Sequence, residues 1–452
     1  MTANEAMTLD ERTKYLRMMQ VRYHEAVDKV RKSALLDEMV AVTGLNRNYL
    51  IQKLRHRIRR QQRSRERGKT YGPEVDAALD QIWRTQDCIC AERLIGYLLE
   101  TADNLARNGR LRLDPHLRQQ LEAISVSTVR RHLPPARSSI RQGTSRPTPN
   151  TLQRQIPIHR IPWNTAEPGH CEVDLVHHGG SEPRGQYGYT VQMIDVATGW
   201  SGRRAILGRS YVVVADALYT LFEQSPFPIL ELHVDNGSEF LNQHLLRFLK
   251  QFYSAVAITR SAPGRPNDNR FVEQKNATLV RAFVDDRPLN TVAQIRFLNA
   301  LYDTMATYHN LWQPMLHQVA KERIAASASL PAHTRRTHDR ARPPLERLFD
   351  SHILTSSAQQ ALRARQQAVD LLALHDDIHR RLAHLFTYAC ADAHDTQNAF
   401  EVLAHPELFP AAFAALDVVP VSRYQDTLPS VSACHYNSET TSQKGERSLP
   451  LT

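Results

Sequence analysis

Three acidic residues in this 452-residue chain stand where carboxylates can do phosphodiester chemistry. Asp174 lies in Cys171-Glu172-Val173-Asp174-Leu175-Val176, and Asp235 closes Leu232-His233-Val234-Asp235-Asn236-Gly237. Glu273 lies in Asn269-Arg270-Phe271-Val272-Glu273-Gln274-Lys275-Asn276. A carboxylate at the end of an apolar strand is costly to bury unless something positive binds there. Three that converge make an all-oxygen donor set, which suits Mg2+ with Mn2+ as a substitute. Such a set holds two ions per active site, about 4 Å apart. One activates a water or a 3′-hydroxyl and the other stabilises the leaving 3′-oxygen, so no covalent enzyme nucleophile is needed. Accordingly, the chain carries neither a Ser-His-Asp constellation nor a phosphate-cradling G-x-x-x-x-G-K-[ST] loop.

The elements that must position these residues read from 169 onward. Strands are expected at 172–176, 189–196, 200–207, 229–234 and 255–259, with helices at 212–223, 240–253 and 267–284. Three hairpin-connected strands followed by helix–strand–helix–strand–helix describe a mixed five-stranded α/β sheet, the ribonuclease-H-like arrangement. Asp174 and Asp235 are side by side if the first and fourth strands are neighbours. Glu273 closes the site from the following helix, with Asn269 on the same helical face. Strand alternation places Glu172 on the face of Asp174, so Glu172 and Glu239 are spare carboxylates near the site. Asp195, in Ile194-Asp195-Val196-Ala197-Thr198-Gly199, reads as a hairpin-turn residue, as do His177 and His178 in theirs.

Upstream the chain is α-helical. Leu35, Leu36, Met39 and Val40 form one apolar face, Gly44 supplies a break, and Leu50, Ile51 and Leu54 form a second face. This is the helix-turn-helix pattern, whose second helix would present Asn46, Arg47 and Asn48 to a major groove. Residues 53–69 then hold nine Lys or Arg, including Arg57, Arg59 and Arg60, against the single acid Glu66, a local charge of 9 − 1 = +8. Such a run favours a polyanion. A second helical unit ends in Ile124-Ser125-Val126-Ser127-Thr128-Val129-Arg130-Arg131, with Ser125 as a helix cap and Arg130 and Arg131 reaching for phosphates. The expected domains are therefore 1–69 (helix-turn-helix with basic arm), 70–135 (second helical unit), 136–165 (linker), 166–312 (catalytic core), 313–405 (mainly helical) and 406–452 (aperiodic, Ser- and Thr-rich tail).

Composition narrows the class. Apolar residues make up 42% and charged residues 23%, with a net charge of +10, as expected for a multidomain globular protein with an anionic partner. No run of about 18 uncharged apolar residues occurs, so no membrane span is expected. The five scattered cysteines contain no C-x-x-C pair, and Cys88 and Cys90 read as ordinary buried thiols rather than a metal module.

Taken together, Glu172-Val173-Asp174, Asp195-Val196-Ala197-Thr198-Gly199-Trp200, Asp235-Asn236-Gly237-Ser238-Glu239-Phe240 and Asn267–Asn276 resemble the integrase catalytic core of bacterial insertion-sequence transposases, the DDE enzymes related to retroviral integrases. The likeness extends over roughly residues 30–350, through the helix-turn-helix units and Asp339-Arg340-Ala341-Arg342-Pro343-Pro344-Leu345-Glu346-Arg347-Leu348. It implies that Asp174, Asp235 and Glu273 are both the catalytic and the metal-binding triad. It also implies double-stranded DNA as partner (terminal inverted repeats and target), a homo-oligomer on paired ends, and a cytoplasmic, nucleoid-associated location. Lys275 and Asn276 are then read as phosphate contacts beside the active site. The chain departs from the family in a slightly long spacing between Asp235 and Glu273. It also has Leu316-His317 where a lysine is expected, and an unfamiliar extension past about residue 400. The function so implied is metal-dependent 3′-end cleavage and strand transfer. Against it stand a catalytically inactive DNA-binding regulator derived from a transposase, and a nuclease that hydrolyses without joining.

Overall fold

The computed structural model describes residues 7–56, 58, 71–133, 156–162, 164–180, 186–235, 237, 239–240, 242–262, 269–284, 287–324, 333–392, 395 and 397–409. Arg57, Arg59 and Arg60, most of the basic arm, residues 136–155 and the tail from 410 on lie outside them. The chain divides into two compact units, Met1–Thr70 and Tyr71–Thr452.

In the first unit, α1 (Leu9–Glu25), α2 (Lys29–Thr43) and α3 (Arg47–Leu54) enclose a small core of Leu16, Met19, Leu35, Leu36, Met39, Leu50 and Leu54. Thr8 and Glu11 close a reciprocal capping box at the start of α1. Gly44 ends α2 at φ 65°, a conformation glycine adopts without a Cβ penalty. Asn46 then caps α3 by accepting from the Asn48 N–H.

The second unit opens with α4 (Pro73–Thr85), α5 (Ala91–Leu94), a 3₁₀ turn (Ile95–Tyr97), α6 (Leu98–Arg107), α7 (Pro115–Ala123) and α8 (Val126–His132). The sequence sets residues 70–135 apart as a domain, but 71–133 fold into the same compact unit as the central sheet. Long-range hydrogen bonds make that junction. The Tyr308 hydroxyl donates to the Thr85 carbonyl, Arg93 donates to the Pro314 carbonyl, and the Asn104 amide donates to the Val369 carbonyl. Gly96 packs so closely on Ala341 that a Cβ there would collide with its carbonyl group.

The central sheet has strand order β3–β2–β1–β4–β5, built from β1 (His170–His178), β2 (Gly188–Asp195), β3 (Ser201–Leu207), β4 (Glu231–Val234) and β5 (Ala257–Arg260). β1–β2–β3 are antiparallel, while β4 and β5 run parallel to β1. This mixed sheet is the arrangement expected from the sequence. α9 (Tyr211–Glu223) and α10 (Gln243–Phe252) cover it, and α12 (Val292–Leu311) lies along β3. On α12, the Asn299 side chain exchanges both backbone hydrogen bonds with Ala205, and Asn310 does the same with Ser201. These amides stand in for the missing neighbour strand and blunt the sheet's open edge.

Two sequence expectations fail for physical reasons. Residues 156–161 are not linker. Ile156 and Ile161 are buried, and Pro157 and His159 exchange backbone hydrogen bonds with Arg260, extending the sheet beyond β5. The region 313–405, expected to be mainly helical, also holds a ribbon: β6 (Gln318–Ile324) and β7 (His333–His338) precede α13 (Pro344–Asp350), α14 (Ser356–Gln367) and α15 (Leu371–Leu385). That ribbon is solvated on both faces, so it lacks the alternation that marks a half-buried strand. Finally, His177 and His178 end β1 rather than lying in the turn, and His178 is buried against Thr190.

Candidate functional site

Asp174 and Asp235 are brought together by strand register. Val173 on β1 pairs with Val234 on β4, so each aspartate is the next residue along parallel neighbours. Asp174 is held by the Leu175 N–H (2.8 Å) and the Asn276 amide (2.5 Å), and Asp235 by the Gly237 N–H (2.9 Å). The third element is α11 (Arg270–Lys275), continued by a π-helical turn, Asn276–Arg281. Such i→i+5 turns recur at functional sites.

Glu172 positions α11. Its carboxylate accepts from the Phe271 N–H (2.7 Å) and the Val272 N–H (3.0 Å), two first-turn donors that the helix cannot satisfy itself. The Asn269 amide donates to the Val173 carbonyl (3.2 Å), tying the same turn to β1. Glu172 is therefore a helix anchor rather than a spare carboxylate. Replacing it by alanine orphans two N–H groups, each costing about 1–3 kcal/mol. We expect Glu172→Ala to lower stability in urea unfolding by about 2–4 kcal/mol, with Glu172→Gln, which keeps an acceptor, milder.

The electrostatics mark the three carboxylates as one cluster. Burial pushes Asp235 up to about 7, helped by the charges of Asp174 and Glu239. Glu273 rises to about 6 through burial and then Asp174. Asp174 is raised by burial too, partly offset by its hydrogen bonds to Leu175 and Asn276. Among the described residues, the one trio whose ligand atoms all lie within 4.8 Å is a different one, Asp87, His375 and His379. Asp174, Asp235 and Glu273 thus influence one another's charge without forming a closed chelate. Neighbouring Asp195 accepts from Gly169, Thr198 N–H and the Thr198 hydroxyl, which makes it a turn anchor.

Beside α11 opens a cavity of about 730 Å³. Its wall carries Arg93, Arg160, Arg270, Lys275, Lys321 and Arg336 against one carboxylate, the turn anchor Asp195. Burial pulls Lys275 down to about 7, reinforced by Arg93, Arg347 and Arg203. Across the β6–β7 ribbon, Lys321 stands directly opposite Arg336. Like charges in that register repel.

The sequence-expected DNA contacts are distributed differently. Asn46 is occupied as a cap, and Arg47 turns back to Asp37 and Ser33, while Asn48 is exposed. Arg130 pairs with Glu92, and Arg131 bonds to Ser127 and Thr128 of its own helix. Lys275 faces Met315 in the cavity (Nζ–Sδ 3.7 Å), and Asn276 holds Asp174. Sequence reasoning missed the anchoring role of Glu172 and the basic wall from Arg93, Lys321 and Arg336. Only the placement of Glu172 on the face of Asp174 pointed toward the first.

The mixed sheet thus sets Asp174, within β1, beside Asp235 at the end of β4, with Glu273 on α11. The chain is 33% identical over 323 residues to the uncharacterised protein y4rM of Sinorhizobium fredii (strain NBRC 101917 / NGR234), across 71% of this chain and 91% of that protein. The chain belongs to the same family as that protein. No family model matches it. Among solved structures, it is similar to the catalytic core domain of BIV integrase, with 18% identity, TM-score 0.24, and coverage of 31% of this chain and 83% of that one. It is also similar to a chain of the simian T-cell lymphotropic virus intasome, with 14% identity, TM-score 0.24, and coverage of 40% of this chain and 59% of that one.

Proposed function

We propose that this chain is a transposase, cleaving the 3′ ends of its mobile element and joining them to target DNA. The observation that carries this reading is the clustering of Asp174, Asp235 and Glu273. Burial raises all three, and the charge of Asp174 raises Asp235 and Glu273 further. That is a negative site with only oxygen donors, which fits Mg2+ or Mn2+ and does not favour softer metals.

Asp174, Asp235 and Glu273 are the residues that would hold two such ions. Bound there, the ions would supply an activated water or 3′-hydroxyl and charge stabilisation for the leaving 3′-oxygen. The chain's own contribution is placement. Asn276 and the Leu175 N–H fix Asp174, the Gly237 N–H fixes Asp235, and Glu172 with Asn269 fixes the first turn of the helix that carries Glu273. The basic cavity beside that helix is suited to the DNA backbone, whose phosphates would neutralise its facing cations.

The deciding experiment incubates purified protein with labelled duplex carrying the element's end, with and without Mg2+ or Mn2+. Metal-dependent 3′-end nicking followed by joined products supports the transposase. Nicking without joining points to a nuclease. Binding without cleavage in any metal points to a regulator.

A pH dependence follows. Asp235 and Glu273 have folded values near 7 and 6, above their ordinary 3.8 and 4.5. Without metal, their effect on stability is most favourable below about pH 4 and is lost as pH rises to about 7, because the unfolded chain releases these protons first. Divalent ions act against that loss. Mg2+ at about 100 times its Kd is expected to add about 2.7 kcal/mol above pH 7, and far less near pH 5, as read by thermal denaturation at each pH.

A further inference from the structure

We propose that Asp87, His375 and His379 form a second metal site, a centre of two histidines and one aspartate for Zn2+ or a similar nitrogen-preferring ion, apart from the three carboxylates. His375 and His379 are four residues apart on α15, so both imidazoles project from one face of that helix. The loop after α4 brings Asp87 to them. Its Oδ1 lies 3.1 Å from Nε2 of His375 and 2.9 Å from Nε2 of His379. The three ligand atoms all fall within 4.8 Å of one another. Tetrahedral bonds of about 2.0–2.1 Å place donor atoms about 3.3 Å apart, so an ion enters with only small displacements of these side chains.

The surroundings match what a metal ligand set requires. His375 Nδ1 approaches Asp376 Oδ1 at 3.4 Å, the carboxylate–histidine pairing that fixes the tautomer of a ligating imidazole. His379 is 48% exposed, leaving an entry path and room for a water as fourth ligand. Asp87 and Cys88 have φ of 50° and 55°, an uncommon conformation for residues with a Cβ. The loop is pinned by the Cys88 N–H donating to the Trp83 carbonyl and by the Trp83 indole donating to the Ile89 carbonyl. His309 is 4% exposed, with Nε2 lacking a hydrogen-bond partner, and Asp87 acts on it electrostatically. Arg93, on which Asp87 acts electrostatically, is directed to the Pro314 carbonyl.

The ion would clamp α15 to the α4–α5 loop, joining the first helical layer of this unit to its C-terminal helices. The mixed N/O donor set favours Zn2+, Co2+ or Ni2+ over Mg2+.

The test strips the full-length chain with chelator and titrates Co2+, whose tetrahedral sites absorb far more strongly in the visible than octahedral oxygen sites. The expected result is an intense band at one ion per chain, displaced by Zn2+. The band should persist in Asp174→Asn/Asp235→Asn, where the three-carboxylate cluster is disabled. His379→Gln should lose the band, with affinity down on the order of 100-fold or more, since even second-sphere changes cost 10–100-fold. Circular dichroism without metal verifies that this exposed variant is folded. Absence of the band in folded wild-type protein, or its survival in both His375→Gln and His379→Gln, overturns the assignment.

Discussion

Glu273→Gln is expected to abolish metal-dependent strand cleavage, by about a thousandfold or more, while duplex binding changes less than twofold. The size follows from the charge lost. A bound divalent ion supplies several kcal/mol of transition-state stabilisation, and each 1.36 kcal/mol is a factor of ten in rate. Glutamine keeps the shape and one oxygen but removes the charge that would hold the ion. The substitution should leave the fold intact and even relieve it, because Glu273 is half-buried and raised by burial and the Asp174 charge. Single-turnover nicking of an end-labelled duplex, paired with fluorescence anisotropy, reads both quantities. Loss of cleavage and binding together would take Glu273 out of the metal site. Unchanged cleavage would do the same.

Asp174 and Asp235 differ from Glu273 in how they are held. Both follow immediately on a registered strand pair, so their positions are as rigid as the sheet. Glu273 depends on a six-residue helix whose first turn is tied down by Glu172 and Asn269. Weakening that anchor should therefore move Glu273 while leaving the two aspartates in place.

How much of this was legible in the sequence differs from part to part. The strands announced themselves, because buried strands are apolar runs bounded by turn residues, and the middle of β1 and the end of β4 put two aspartates in neighbouring places. The order β1 beside β4 was a conditional inference that the parallel pairing supplies. Glu172 was visible only as an acid on the right face, since nothing local shows that its partners are N–H groups about a hundred residues away. The β6–β7 ribbon was hidden because charged residues cover both its faces. Cys88 and Cys90, read as buried thiols, are exposed. The turn at Asp87–Cys88, with positive φ at both residues, leaves Ile89 buried and both thiols outward. The trio around Asp87 was equally hidden, for its members lie nearly three hundred residues apart in sequence.

Replacing Lys321 and Arg336 together by alanine is expected to move stability and DNA affinity in opposite directions. The two side chains face each other across the ribbon and both line the cavity beside α11. In the free protein, a like-charged cross-strand pair is destabilising, by roughly 0.2–1 kcal/mol. Removing it should raise the unfolding midpoint slightly. If phosphates lie against this wall, the same removal eliminates two counterion-releasing contacts. Affinity should then fall by on the order of tenfold per residue, equally for specific and scrambled duplexes, and the salt slope should shrink by about 2. Anisotropy titrations across a series of salt concentrations measure the slope directly. A specific loss at one sequence would mean base readout instead. An unchanged slope, with the stability gain present, would show that the cations repel each other for some reason other than DNA, and the path of the duplex would have to run elsewhere.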